Sequence, residues 1–136
     1  MSQVVPDQLE LEIINDVVGP NLSLRLYGNN ATPAGSSTAA SFTEISGGGY
    51  AAKPLVLANW TITAGDPSQA VYSVLQQFIF TGTINAPGTI YGYFVTRDSD
   101  GHLMWAERFA PALVPFAPIA GSQINIIPVF SAQSQF

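Results

Sequence analysis

Apolar and polar residues alternate with a period of two along most of this chain, which is the pattern of half-buried β-strands. Over residues 9–14 the alternation places Glu10 and Glu12 on one face, so it predicts a strand with a solvated, charged outer face. Residues 22–27 repeat the pattern with three leucines on the buried face. The N-terminal part of the chain is therefore predicted to contain two strands, separated by a Gly-Pro-Asn turn.

Six further strands are predicted from runs rich in β-branched and aromatic residues, bounded by Gly, Pro, Asn and Asp. They cover residues 50–57, 59–63, 71–83, 89–96, 102–109 and 124–130. The strands on either side of the turn at 97–101 form the clearest hairpin. A short helical turn is predicted at 41–44, because Ser41 is followed three residues later by Glu44.

About eight short strands with almost no helical periodicity predict an all-β fold, an antiparallel β-sandwich or jelly roll. Pro128 cannot donate a hydrogen bond to a sheet, so it predicts an edge or a bulge in the last strand. No internal repeat or second domain is evident. We expect a single domain over residues 1–136, with flexible arms at 1–7 and 131–136.

Charge is scarce, and its distribution is uneven. Only 10% of the 136 residues are Asp, Glu, Lys or Arg, against roughly 25% in an ordinary soluble domain. Residues 67–96 and 109–136 carry no charge at all. Because a dispersed monomer normally keeps a charged coat, we expect other subunits to cover this neutral surface. A homo-oligomer is predicted, with a trimer favoured and a dimer as the alternative.

We predict that the contacts with other subunits involve eight residues, mostly apolar, from the charge-free stretches. These residues are Val74, Phe78, Phe80, Tyr91, Tyr93, Phe116, Ile126 and Phe130.

The composition also argues against several classes of function. The four basic residues are scattered singly and the net charge is −5, so nucleic acid is not an expected partner. We expect neither a membrane-spanning segment nor a signal peptide, because no apolar run has the required length or flanks. There is no cysteine, which excludes disulfides and thiolate chemistry.

Several motifs have both a chemical and a structural interpretation, and we favour the structural one for each. Residues 98–101, Asp-Ser-Asp-Gly, resemble the start of a calcium loop but lack its final glutamate, so they indicate a hairpin turn. His102 is the only histidine and has no nucleophile arranged around it. Gly47-Gly48-Gly49 lacks the Lys-Ser/Thr of a phosphate loop. We therefore predict no enzyme activity, no metal site and no cofactor.

Aromatic residues leave one alternative open. Trp60, Trp105, Tyr91 and Tyr93 could stack on sugar rings, although aromatic residues also serve as core and interface anchors. A receptor-binding module that recognises glycans is therefore the alternative to a purely structural protein.

Over about residues 22–130 the chain resembles small structural proteins of tailed-bacteriophage virions. The segments that carry the resemblance are Leu24-Arg-Leu-Tyr-Gly-Asn-Asn-Ala-Thr-Pro, Phe42-Thr-Glu, Gly49-Tyr-Ala-Ala, Trp60, Ile90-Tyr-Gly-Tyr-Phe-Val-Thr, Leu103-Met-Trp-Ala-Glu-Arg-Phe and Ile124-Asn-Ile-Ile-Pro-Val-Phe. The resemblance implies a β-rich component of a phage particle, with a role in capsid decoration, a head fibre or the tail.

Together with the neutral surface, the resemblance leads us to expect a capsid decoration (cement) protein. Its partner would be the major capsid protein, and it would be assembled into the virion in the host cytoplasm.

Overall fold

The protein is described by a computed structural model that covers residues 6–65 and 68–132. Within these residues the chain forms one α-helix, nine β-strands and three 3₁₀ turns. The helix and strands are α1 (Asp7–Val18), β1 (Leu22–Tyr27), β2 (Lys53–Leu55), β3 (Trp60–Thr63), β4 (Ser68–Tyr72), β5 (Gln76–Ile79), β6 (Gly92–Arg97), β7 (Leu103–Arg108), β8 (Gln123–Ile126) and β9 (Val129–Ala132). The 3₁₀ turns are Ala39–Ser41, Leu57–Asn59 and Pro111–Leu113.

All strand pairs are antiparallel and form three sheets. The largest sheet has the order β2-β1-β6-β7, a second has the order β3-β4-β9, and β5 pairs with β8. The predicted all-β, antiparallel sandwich is confirmed, with nine strands in place of about eight. The jelly-roll form stays a prediction.

The predicted long strand at 71–83 is wrong, because the chain bends at residues 73–75 and divides into β4 and β5. Its partner strand also divides, into β8 and β9, and Tyr72 N donates to Pro128 O at the break. Pro128 therefore lies beside an interruption of the sheet, as its missing N–H requires. The two broken strands follow each other as one antiparallel ribbon, in which Val71 pairs with Val129 and Gln76 pairs with Ile126.

The strand predicted at residues 9–14 is instead part of α1. Buried residues recur there every four positions, at Glu10, Ile14 and Val18, which is the spacing of one helix face. Leu9 and Ile13, expected to be buried, are exposed. The helix begins after Pro6 with acidic residues in its first turn, where they stabilise the helix dipole.

Where the structure describes residues of the two predicted flexible arms, these residues belong to a helix or a strand. Asp7 begins α1, and Ser131 lies in β9 opposite Gln69. The remainder of both arms lies outside the described residues.

The core lies between the two layers. Leu24, Leu26 and Val95 of the large sheet face Trp60 and Phe78 of the other layer, and all five are buried. A smaller aromatic cluster of Tyr27, Phe42 and Phe94 lies on the opposite side of the large sheet. The loop that follows β1 covers this second cluster, and it includes a 3₁₀ turn capped by Thr38 and Ser41. The helical turn predicted at 41–44 is thus displaced toward the N-terminus.

Candidate interaction surface

Among the residues that the structure describes, one face of the sandwich carries no charge. We call it the neutral face, and it consists of the outward-pointing residues of β3, β4, β5, β8, β9 and the two bends. These residues are Thr61, Thr63, Gln69, Val71, Ser73, Leu75, Gln77, Ile79, Gln123, Asn125, Ile127, Val129 and Ser131. Val71 is half-buried and the other twelve are exposed.

The alternation of side chains along each strand produces this face. Thr61, Val71 and Val129 are direct cross-strand neighbours, so their side chains point to the same side. Between the pairs Val71–Val129 and Gln76–Ile126, the first strand has four residues (72–75) and its partner has two (127 and 128). Both numbers are even, so the odd-numbered residues of both strands point outward on either side of the break.

Large apolar side chains stand exposed on the neutral face. Leu75, Ile79 and Ile127 are 49–56% exposed. Ser73 N and Oγ both donate to Asn59 O, which holds the bend against the neighbouring 3₁₀ turn. Val56, Leu57 and Val74, in or next to these segments, are exposed as well. Several large apolar side chains exposed on one face are typical of a protein contact.

The polar groups of the neutral face are amides and hydroxyls. Gln77 Nε2 donates to Gln123 Oε1 at 2.9 Å across the β5–β8 pair. Such groups can both donate and accept hydrogen bonds without the desolvation cost of an ion. The face therefore has the composition of a surface that can be buried against another protein.

A shallow cleft of about 250 Å³ adjoins the neutral face and is lined by Phe109, Leu113, Phe116, Gln123, Ile124 and Asn125. Its volume lies below the roughly 300–1,000 Å³ of small-molecule pockets.

The charges lie in other parts of the structure. In the described residues they occur on α1 or on the four-stranded sheet and its loops, at Asp7, Glu10, Glu12, Asp16, Arg25, Glu44, Lys53, Arg97, Asp98, Asp100, Glu107 and Arg108. Several are paired within the chain. Arg25 Nη1 lies 2.9 Å from Glu44 Oε1, and Tyr50 Oη donates to Glu44 Oε2 at 2.7 Å. Burial and the bond to Glu44 raise the pKa of Tyr50 well above its usual value.

The structure corrects half of the predicted contact residues. Phe78, Phe80, Tyr93 and Ile126 are only 1–8% exposed, because they pack in the core of their own chain. A partner could not reach them without opening the sandwich. The physical reason is the direction of the side chains, since even-numbered residues of β5 and β8 point inward and Tyr93 of β6 lies on the core side of its sheet, opposite Leu26.

The other four predicted contact residues retain some exposure, and their contact role stays a prediction. Val74 lies exposed at the bend, and Phe116 lines the cleft. Tyr91 is half-buried beneath Arg108, whose guanidinium carbon lies 5.0 Å from the ring centre. Phe130 is half-buried and packs 5.3 Å from the Trp105 ring.

Sequence reasoning missed Leu75, Ile79, Ile127 and Val129, the exposed apolar residues of the neutral face. A signal for them existed, because the alternation already separated odd from even positions in residues 71–83. The alternation did not indicate which set faced the core.

The motif at residues 98–101 and His102, which we interpreted as structural, lie in a turn and at an exposed position. The Asp98–Gly101 segment is the β6–β7 turn, and Gly101 has a φ of +71°, which favours glycine. Asp100 Oδ2 accepts from Arg97 Nη2 at 2.6 Å. This bond, followed by one from the His102 backbone, lowers the pKa of Asp100 to about 2. His102 is exposed.

Glu10 and Glu12 do not share a solvated strand face. Glu12 is exposed on α1, whereas Glu10 is 1% exposed and accepts a 2.5 Å hydrogen bond from Ser68 Oγ. Over residues 6–65 and 68–132 no three His, Asp or Glu side chains gather in a group that could hold a metal ion.

The aromatic residues considered for sugar stacking are mostly unavailable. Trp60 and Tyr93 are buried. Trp105 is partly exposed, but its ring packs at 68° against Trp60. Only Trp105 and Tyr91 are partly exposed, so two of the four aromatic residues considered for glycan binding are not accessible to a sugar.

No helix in the part of the chain that the structure describes is long and apolar enough to cross a bilayer. Comparisons of the chain with protein-family models, curated proteins and solved structures gave no match. The functional conclusion therefore depends on the surface and on the sequence resemblance.

Proposed function

We propose that this chain is a structural protein of a tailed-bacteriophage virion, specifically a capsid decoration (cement) protein that binds the major capsid protein. In this role it assembles onto the head in the host cytoplasm and stabilises the shell. It acts as a homo-oligomer, with a trimer favoured. It has no catalytic role.

The neutral face is the observation that carries the proposal. A protein that adds to a finished shell needs a broad surface that can be desolvated cheaply, and buried unpaired charges cost several kcal/mol each. The neutral face combines exposed apolar side chains with amides that hydrogen bond without charge. The sequence resemblance to phage virion proteins supports the same class.

The second support is the segregation of charge. Ion pairs such as Arg25–Glu44 and Arg97–Asp100 are satisfied within the chain and lie away from the neutral face. The excess negative charge keeps the free protein dispersed. Binding through a neutral surface should then depend little on ionic strength, because salt screens only charged contacts.

The test places charge on the neutral face without changing side-chain volume. Gln69→Glu combined with Asn125→Asp adds two carboxylates to exposed positions of β4 and β8. The matched control, Gln8→Glu combined with Asn21→Asp, adds the same two charges to exposed positions elsewhere. Both variants should unfold at the same urea concentration as wild type, to within a surface substitution's roughly 0.5 kcal/mol.

Binding is measured by cosedimentation with phage heads assembled without this protein, at low and at high salt. We expect wild type and the control to bind equally, and the neutral-face variant to bind at least about 100-fold more weakly, which is roughly 2.7 kcal/mol. The proposal is wrong if the wild-type protein does not bind such heads. The assignment of the neutral face is wrong if its variant binds like the control.

A further inference from the structure

The β6–β7 turn contains an Asp-Gly pair, Asp100 and Gly101, and both residues are exposed. In such a pair the main-chain nitrogen of the glycine can attack the aspartate side chain, because glycine has no Cβ to crowd the approach. The turn itself requires this glycine. Gly101 has a φ of +71°, whereas a Cβ there would meet no atom within 4 Å. Conformation, and not space, therefore keeps a chemically sensitive pair in this turn.

The reaction open to this pair has two steps and needs only water. In the first step the Gly101 nitrogen bonds to Cγ of Asp100, the C–OH bond of the neutral carboxyl group breaks, and the hydroxyl leaves as water with the proton of the nitrogen. The product is a five-membered succinimide. In the second step water adds to the main-chain carbonyl carbon of Asp100 and breaks its bond to the nitrogen. The chain then runs through Cγ as isoaspartate, with one additional main-chain carbon and an unchanged mass.

Arg97 holds the carboxylate that this reaction would consume. Its Nε donates to Asp100 Oδ1 at 3.0 Å and its Nη2 donates to Oδ2 at 2.6 Å, a two-pronged contact that favours the charged form. The His102 main-chain N also donates to Oδ1, at 3.1 Å. These contacts lower the pKa of Asp100 from 3.8 to about 2. The neutral carboxyl group that the first step needs is then roughly 60-fold rarer at neutral pH.

The attacking nitrogen is held as well. Gly101 N donates to Arg97 O at 2.7 Å, and Arg97 N donates to His102 O at 2.9 Å. Closure of the succinimide ring requires the Gly101 N–H to leave Arg97 O and the Asp100 side chain to leave the guanidinium. The same residue, Arg97, thus engages both reacting groups, one through its main chain and one through its side chain.

The fold has a reason to prevent this reaction. Asp98 N donates to Asn21 O at 3.0 Å, and Ser23 Oγ donates to Asp98 Oδ1 at 2.6 Å, so the turn is fixed to β1. Directly beyond the turn, Thr96 pairs with Leu103. An additional main-chain atom between these two residues would disturb the register of the β6–β7 hairpin, on which the side-chain directions in the four-stranded sheet depend.

From these contacts we propose that Asp100–Gly101 is a site of spontaneous isoaspartate formation and that Arg97 suppresses this modification in the folded protein. Arg97 acts as a positioning residue, because it holds the carboxylate charged and keeps the glycine nitrogen away from it. Loss of the guanidinium should expose the latent site without removing the turn. The proposal is independent of the capsid-decoration function.

The test follows isoaspartate during long incubation at a constant neutral pH. The modified residue is quantified by mass spectrometry of the digested protein and by methylation with an isoaspartyl methyltransferase. The reference is a synthetic peptide with the sequence of residues 96–103, which has the same Asp-Gly pair without the fold. We expect the folded wild-type protein to form isoaspartate at least about tenfold more slowly than the peptide, because the turn must open locally before it reacts.

Variants of Arg97 test its role in the folded protein. Arg97→Gln should accelerate the modification at least about fivefold, a smaller factor than the full change in protonation because solvent weakens an exposed ion pair. Lys53→Gln removes the same charge outside the turn, and Ser23→Ala releases Asp98 without releasing Asp100. Both controls should react like wild type. Arg97→Lys, which keeps the charge but not the two-pronged contact, should react at an intermediate rate, and it provides the comparison if Arg97→Gln does not fold.

Three outcomes would overturn the proposal, once circular dichroism shows that the variants are folded. The peptide could form no isoaspartate, or the folded protein could form it as fast as the peptide. The Arg97 variants could also react as slowly as wild type. If Ser23→Ala reacts as fast as Arg97→Gln, the general rigidity of the turn protects the site, and the role assigned to the Arg97 guanidinium is wrong.

Discussion

The buried carboxyl group of Glu10 provides a direct test of how α1 is attached to the sandwich. Glu10 is 1% exposed, and Ser68 Oγ donates to its Oε1 at 2.5 Å. Its Oε2 has no hydrogen-bond partner among the described residues. The bond between α1 and β4 is therefore the polar contact on which the buried group depends.

Ser68→Ala should remove this bond and leave the buried group unpaired. An unpaired buried acceptor costs about 1–3 kcal/mol, and more when the group is charged. The Gly65 N–H also loses Ser68 Oγ as its acceptor. We therefore expect the free energy of unfolding to fall by about 2–3 kcal/mol.

A double variant removes both polar partners. Glu10→Met combined with Ser68→Ala should lie within about 1 kcal/mol of wild type, because replacing a buried polar pair with apolar groups of similar shape is nearly neutral. The double variant is thus expected to be more stable than Ser68→Ala alone, which simple addition of two losses would not give.

Urea unfolding, followed by the fluorescence of Trp60 and Trp105, measures each free energy. Ser131→Ala, at an exposed position of β9, serves as the control and should change stability by less than about 0.5 kcal/mol. The reasoning fails if Ser68→Ala is as mild as this control, or if the double variant is no more stable than Ser68→Ala.

Three further predictions concern the core, an ion pair and a close backbone approach. Phe80→Glu should abolish cooperative unfolding because Phe80 lies in the core, whereas Ile79→Glu should stay within about 1 kcal/mol of wild type because Ile79 is exposed. Circular dichroism during thermal melting distinguishes the two variants, and equal melting would contradict the assigned strand faces. Arg97 lowers the pKa of Asp100 to about 2, so this pair contributes stability above about pH 4 and loses it as the pH falls toward 2. An NMR titration of the carboxyl group should show that Arg97→Gln returns this pKa toward 3.8, and an unchanged midpoint would refute the pairing. Gly92→Ala should cost about 3 kcal/mol in urea unfolding, since a Cβ there would overlap a carbonyl oxygen of β7, and a loss below about 1 kcal/mol would show that the strands can separate.

Some elements could be predicted because their signals are local. The alternation over residues 22–27 coincides with β1, and the predicted hairpin around residues 97–101 corresponds to β6 and β7. Gly101 has the positive φ that the turn requires. In these elements the side-chain period and the turn chemistry are independent of distant parts of the chain.

Other predictions failed where the local pattern was compatible with two structures. Residues 9–14 fit a period of two, but Ile14 and Val18 also fit one face of a helix, and packing against β4 selects the helix. In residues 71–83 both sets of alternate positions contain apolar side chains. Phe78 and Phe80 face the core and Ile79 faces outward only because the strand packs on one particular side.

The sequence by itself determined that this protein is a β-rich domain with a charge-poor surface, since period, turn residues and composition are properties of the chain alone. Only the tertiary structure decided which residues form that surface. The register between distant strands and the packing of α1 determine which face of each strand is buried, and these contacts join residues far apart in sequence. The uncharged residues form a continuous face because antiparallel pairing places the outward positions of five strands side by side.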